Sequence, residues 1–484
     1  MQFLLPLTYT AIFIFLIAKM KLFASDALLK VQWIGLFLLK AFVGIAGYYI
    51  YTYYYPQSDF YLYLEGSKNV FDQFAGNTSA APITGWNSNF DDSFYNNSRI
   101  IIVINFFIRF LSFNNPHVHI LFFCFFSFIG LAAIFRAFHY HFPDRKRILI
   151  FSIFLVPSVL FWTSGIYKEA VAILCVGLLV FISDFGLKKS YTLKAAGILL
   201  LLFLSLFFLK IYILACLFPL LLIHFLITRT GSKRYIIKYI LCFAILGVGF
   251  HLFSKISHRT NYYQLIADKQ SKAISEASGG IFLVNDKNFV RLAYNDLGIL
   301  IAQSDSTYTI SDGNSYMSWK LDNMKDTTFV SNSKDTAIYK MMYRIVPAKT
   351  VLPITKMEPT FWGAIKQIPF AILNVFLQPS LFNIKNMLQL FSWIENMWLL
   401  LLITLSVLFF DKKVLLQKEV FLFCLLFALL QYAMIGLTSP VVGAMVRYKV
   451  TALPFLFTIC LLSINQVKLL GKLKRAKNSD SYTE

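Results

Sequence analysis

Long apolar runs alternate with short polar stretches along most of the chain. A helix needs about 20 apolar residues to cross a bilayer, and fewer when long charged side chains flank it. The runs therefore predict crossings at about 3–20, 33–53, 117–138, 148–165, 169–186, 195–209, 211–227, 236–253, 394–410, 419–437 and 449–466. The run 100–113 is interrupted by Arg109 and is short for a crossing. It reads as an interfacial helix on the outer surface, with a tilted crossing or a re-entrant segment as the alternative. The opening MQFLLPLTYTAIFIF lacks the basic start and small-residue cleavage site of a signal peptide, and reads as a retained first helix.

Composition agrees with that pattern. Of 484 residues, 58% are hydrophobic and 14% charged, more apolar surface than a soluble chain of this length could hide. The net charge of +21 would suggest nucleic acid in a soluble protein. Here the cations sit in short loops: Lys19, Lys21 and Lys30; Arg145, Lys146 and Arg147; Lys188, Lys189 and Lys194; Arg229, Lys233 and Arg234; Lys412, Lys413 and Lys418; and the tail after Lys468. One topology puts all six groups in the cytoplasm, with the N-terminus outside and the C-terminus inside. The positive-inside rule then accounts for much of the excess, and no nucleic-acid partner is expected. Cys124, Cys175, Cys216, Cys242, Cys424 and Cys460 all lie in apolar runs, so no disulfide framework is indicated. The histidines are scattered or flank helix ends, and no metal site is expected. Walker, GxGxxG and GxSxG patterns are absent from the sequence, so no nucleotide cofactor is indicated.

The expected fold is an all-α polytopic membrane protein of about 11 transmembrane helices plus interfacial helices, with a small α+β extracytoplasmic loop domain. It divides into an N-terminal transmembrane bundle at 1–253 with a first outer loop at 54–116, a large extracytoplasmic loop at 254–392, C-terminal transmembrane helices at 393–466 and a basic cytoplasmic tail at 467–484. In the large loop, 261–278 reads as a polar helix. TYTISDGNSYMSWKLD carries Asp312-Gly313 between two β-leaning runs, a hairpin signal. The stretch 359–377 is amphipathic and aromatic, and should lie flat on the membrane. Asn77-Thr78-Ser79 fits a glycosylation sequon, which is read as coincidence.

Charges at the outer helix ends then need a reason. PSVLFWTSGIYKE, residues 157–169, reads as two crossings joined by a Thr163-Ser164-Gly165 corner, with Lys168 and Glu169 at the tip. Lys210 stands alone between two apolar runs. Arg447 and Lys449 end TSPVVGAMVRYK, Glu395 sits in FSWIENMW, and Asp59 follows the helix that ends at Tyr55-Pro56. Outer loops are short of cations under the positive-inside rule, and a phosphate leaving group would explain them. Arg would hold it in a bidentate fork and Lys as a point charge, while a carboxylate deprotonates an incoming sugar hydroxyl. Asp59 has the right chemistry and place for that base, beside the aromatic Phe60, Tyr61 and Tyr63. The competing readings are structural. Lys168 and Lys210 would snorkel, Asp59 would cap an outer helix, and Glu169 and Glu395 would cap helix N-termini. Asp91 and Asp92 are rival bases that turn chemistry also explains.

These residues carry a resemblance. PSVLFWTSGIYKE resembles the PS-x-x-FW-x-SG-x-x-K-D/E hairpin of bacterial multi-spanning glycosyltransferases and O-antigen-polymerase-like proteins of cell-surface polysaccharide clusters. VVGAMVRYKVTALPFL is similar to their late G-x-x-x-R segment, SDFYLYL to their early outer-loop acidic motif, LKIYILACLFPLLL to their basic-residue hairpin, and FSWIENMWLLLL to their Glu-led helix. The family's first loop commonly pairs two acids, whereas Asp59 follows Ser58. The resemblance implies a C-type glycosyltransferase-like fold in the bacterial inner membrane, with a lipid-linked sugar donor and a glycan acceptor on undecaprenyl carriers. It implies Asp59 as base and Lys168, Lys210, Arg447 and Lys449 as phosphate ligands, supported by Glu169, Glu395, Tyr61 and Trp162. A transporter or flippase for lipid-linked glycans is the alternative, and would show mid-span charges and broken helices. A non-catalytic envelope assembly protein is another, and would tolerate loss of the outer charges.

Overall fold

The computed structural model describes residues 4–24, 27–54, 59–76, 93–186, 193–231, 234–256, 261–285, 288–292, 300–304, 307–310, 315–320, 323–331, 335–345 and 347–472. Helices come first: α1 (Leu4–Lys19), α2 (Lys30–Tyr54), α3 (Asp59–Phe74), α4 (Ser93–Ser112), α5 (Pro116–His141), α6 (Lys146–Phe154), α7 (Pro157–Trp162), α8 (Lys168–Gly186), α9 (Leu193–Thr230), α10 (Tyr235–Ile256) and α11 (Tyr262–Ala277). Among the described residues, seven strands follow: β1 (Gly280–Val284), β2 (Asn288–Leu292), β3 (Leu300–Ala302), β4 (Thr307–Ile310), β5 (Ser315–Lys320), β6 (Asn323–Ser331) and β7 (Asp335–Ile345). The chain closes with α12 (Phe361–Leu377), α13 (Met387–Leu408), α14 (Lys418–Thr438), α15 (Val442–Tyr448) and α16 (Leu453–Leu462). Among the described residues, α2, α5, α9, α10, α13 and α14 are long and apolar enough to cross a membrane. The pair α15 and α16 passes the same test with a 66° bend. The chain is a predominantly helical, multi-pass membrane protein.

The bundle is organised around α5. Its apolar window is 83% buried, against 11% for the outlying α10. α8 packs tightly on α5, where a Cβ on Gly177 would stand 2.0 Å from the Gly130 carbonyl oxygen. Glycine on both helices lets the two backbones touch. Buried His119 of α5 bonds Asn105 Oδ1 at 2.7 Å and Ser112 Oγ at 2.8 Å, which pins α4 to the same core.

Three expected elements take a different form. The crossing expected at 148–165 is broken, with α6 ending at Phe154 and α7 starting at Pro157. Val156, with φ −64° and ψ 121°, is extended, because a proline disfavours the helical conformation in the residue before it and cannot donate a helix hydrogen bond. The crossing expected at 449–466 is instead the ten-residue α16, preceded by a 3-10 turn at Lys449–Thr451 and bent from α15, with Pro454 in its first turn. The third is the hairpin at Asp312-Gly313. Those two residues lie outside the described ones, and β4 and β5 on either side are not neighbours. The antiparallel sheet runs β3-β4-β7-β1-β2-β5-β6. The eleven-residue β7 pairs with both β1 and β4, so long-range pairing overrides the local turn signal.

The element α9 reverses direction. Lys210 has non-helical φ −154° and ψ 80°. Phe203 and Phe218 have ring centroids 5.9 Å apart, whereas 15 residues of straight helix would separate their backbones by about 22 Å. The two arms therefore form a helical hairpin with Lys210 at its turn. The sheet is tied to the bundle after β7. Leu352 N–H donates to Pro440 O at 2.8 Å and Val442 N–H to Thr350 O at 3.2 Å, at the entry to α15. The helix α12, expected to lie flat, packs on α14, with the Phe376 and Tyr432 rings 4.6 Å apart, and leaves Trp362 and Phe370 exposed.

Candidate functional site

The tip between α7 and α8 is a five-residue corner, Thr163 to Tyr167, after which α8 begins with Lys168 and Glu169. Glu169 is fully buried and is the hub of the site. Its Oε2 accepts from Arg447 Nε at 2.8 Å, and its Oε1 accepts from Lys210 Nζ. Arg447 stands in the last turn of α15 and Lys210 at the α9 hairpin turn, so three far-apart segments meet on one carboxylate. The Arg447 guanidinium turns a second edge outward, where NH1 donates to Asp59 Oδ2 at 2.7 Å. Asp59 is the first residue of α3, in the first turn, where a carboxylate suits the helix dipole. Lys168 lies near enough to Lys210, Arg447, Asp59 and Glu169 to feel their charges. Among the described residues, Lys210 and Arg447 thus contact Glu169, Arg447 also contacts Asp59, and Lys168 adds a third positive charge nearby.

Aromatic rings line it. Lys210 Nζ lies 4.3 Å from the Tyr448 ring centre, Arg447 stacks 5.1 Å over Tyr167, and Lys168 Nζ is 5.9 Å from Tyr63. Such faces stabilise cations that have been taken out of water. Burial and then the Asp59 carboxylate push the Tyr63 hydroxyl well up, so it stays protonated and is no general base. Trp162 backs Tyr167 with ring centres 5.7 Å apart. Tyr61 shares a hydrogen bond with Thr52 and holds α3 against α2. Arg109, the residue that interrupts 100–113, is buried, and its NH2 donates to Leu64 O at 2.7 Å and Ser67 Oγ at 2.8 Å. It fixes α3, and so Asp59, against α4.

The structure brings Asp59, Lys168, Glu169, Lys210 and Arg447 together. It does not bring in Lys449, whose buried ammonium donates to Asn396 Oδ1 instead. Residues two apart on a helix are rotated by about 200°, so Arg447 and Lys449 point in nearly opposite directions. Glu395 does not cap its own helix. α13 begins eight residues earlier, at Met387, and Asn386 caps it through Gln389 N–H. The buried Glu395 Oε2 accepts from Ser158 N–H of α7 at 2.6 Å. Asp91 and Asp92 lie outside the described residues.

Lys40 escaped the sequence reading. It lies buried in the middle of α2 and donates to Thr163 Oγ1 at 2.5 Å and Ser164 Oγ at 3.1 Å. An ionisable residue inside an apolar run, LLKAFVG, was the signal that could have found it. Among the described residues no group of three or more His, Cys, Asp or Glu side chains is placed to hold a metal. No family model, curated protein or solved structure matches the chain, so the site is read from its geometry.

Proposed function

We propose that the chain is a membrane glycosyltransferase or polysaccharide polymerase that uses a polyprenyl-phosphate- or pyrophosphate-linked sugar donor. It would work on the outer face of the bacterial inner membrane, with about eleven crossings, the N-terminus outside and the C-terminus cytoplasmic. The observation that carries this reading is the meeting of Arg447, Lys210 and Lys168 around Glu169, with Asp59 on the open side. Glu169 is held by two cations and is sealed from solvent, so its role is to set their positions. Asp59 is 40% exposed in its side chain and is the carboxylate a substrate could reach.

The donor phosphate would take Asp59's place on Arg447 NH1, with Lys168 and Lys210 adding positive charge. Asp59, released, would accept the proton of the acceptor hydroxyl. The acceptor oxygen then bonds the anomeric carbon, and the bond from that carbon to the phosphate oxygen breaks with its electron pair on phosphate. Arg447 and the two lysines stabilise the charge that develops there.

Complementation of a deletion strain tests this at matched protein levels. Asp59→Asn, Lys168→Ala, Lys210→Ala and Arg447→Ala should each cut polymer yield or length, and normal polymer from all four contradicts the reading. A reporter fused near Asn285 should be active only outside, and a cytoplasmic signal there overturns the topology. A lipid-linked glycan flippase is the second reading, favoured by the breaks at α6/α7 and α15/α16 and by Lys40 within a span. Lipid scrambling by the purified protein in vesicles, without transfer, would select it.

A further inference from the structure

We infer that Lys40 is a positioning residue: together with Glu395 it clamps the two ends of α7, and α7 fixes the corner that presents Lys168 and Glu169. A six-residue helix cannot hold its own shape, because nucleation is unfavourable and few bonds follow it. Its place must be imposed from outside. At its start, Ser158 N–H donates to the carboxylate of Glu395, supplied by α13. At its end, Lys40 of α2 donates to Thr163 Oγ1 and Ser164 Oγ. Those hydroxyls donate onward to the carbonyls of Val159, at 2.6 Å, and Leu160 in α7. A negative charge thus sits at the helix N-terminus and a positive one at its C-terminus, the arrangement that the helix dipole favours.

The corner is gripped from the same side. Ser127 Oγ of α5 donates to Thr163 O at 2.6 Å, and Cys124 Sγ lies 3.1 Å from Ser164 O. A Cβ on Gly44 of α2 would fall 2.2 Å from Ser164 O, so α2 comes as near as a backbone can. Lys40 is the eleventh of the 25 residues of α2 and is 1% exposed, too deep to snorkel to either end. Among the described residues no carboxylate pairs with it. A methionine would fill the same volume without burying charge. What the ammonium adds is donors aimed at Thr163 and Ser164, four to six residues before Lys168 and Glu169.

The test uses the purified full-length protein in nanodiscs, with Lys40→Met, Lys40→Arg and Thr163→Val. Hydrogen exchange reads the corner without reference to any reaction. Lys40→Met should speed amide exchange at 163–169 by about tenfold or more while α5 stays protected, and Lys40→Arg should recover part of that protection. Unchanged exchange at 163–169, or an equal loosening of the whole bundle, overturns the proposal. If Lys40→Met does not accumulate as folded protein, Thr163→Val removes the shorter of the two Lys40 bonds together with the onward bond to Val159, and is judged by the same two outcomes. A second arm rests on the transferase reading. There Lys40→Met should lower kcat on the order of a hundredfold with KM for the lipid-linked donor nearly unchanged, as misplacement of a catalytic set does. Absence of transfer by the native protein removes the transferase reading and leaves the exchange result to decide the role of Lys40.

Discussion

Two sets of buried charge lie a few residues apart in this bundle and differ in one respect. Around α7, Lys40 and Glu395 are 1% and 5% exposed and spend their bonds on the ends of a helix. Around the start of α8, Lys210 and Arg447 share Glu169, but Arg447 also holds Asp59 at the surface. The first set is closed, and no ligand can take the place of either partner without opening the fold. The second set is closed on one side and open on the other, so one of its bonds can be exchanged. The accessibility of a single carboxylate, rather than the number of charges, separates a frame from a candidate site. Buried ion pairs add little net stability, and an exchangeable partner gives this one a use.

Substitutions at the two sets should therefore fail in different ways. The largest effect is expected at Asp59. Asp59→Asn keeps the shape and removes the base, and should lower transfer from a labelled lipid-linked donor by about 10²–10⁴-fold. Arg447→Lys keeps the charge but loses the fork that reaches two acceptors at once, and a fall of about 10²–10³-fold in kcat is expected in the same assay. If either variant instead melts the bundle, seen as loss of a monodisperse peak in detergent, the open set is structural and the contrast collapses. In the closed set, Glu395→Gln should lower stability by about 1–2 kcal/mol in thermal unfolding, because it weakens the charged contact with the N-terminus of α7. Gly177→Leu should cost about 1–3 kcal/mol of stability in thermal unfolding by forcing α5 and α8 apart.

Much of the helical framework was legible because apolar runs of crossing length are hard to mistake. The exceptions share a cause. Pro157 and Pro454 interrupt runs that composition alone would join, and helical rotation points Arg447 and Lys449 in different directions although two positions divide them in sequence. The sheet was poorly legible, since a local Asp-Gly turn gives no hint that β7 will pair with both β1 and β4. The site was partly legible. Lys168, Glu169, Lys210, Arg447 and Asp59 were visible as charges at helix ends, but that three segments would share Glu169 is a property of packing. The positive-inside rule directs attention to loops, which is why Lys40 in mid-run and Arg109 within α4 went without a role.

The exchangeable bond itself can be measured. Equilibrium binding of a short-chain polyprenyl phosphate to the native protein, Asp59→Asn and Arg447→Lys in nanodiscs reads it without any turnover. If Asp59 occupies the place of the phosphate, removing its charge should tighten binding by about tenfold or more, while Arg447→Lys weakens it. Weaker binding by Asp59→Asn, or equal binding by all three proteins, would contradict a phosphate seat at Arg447.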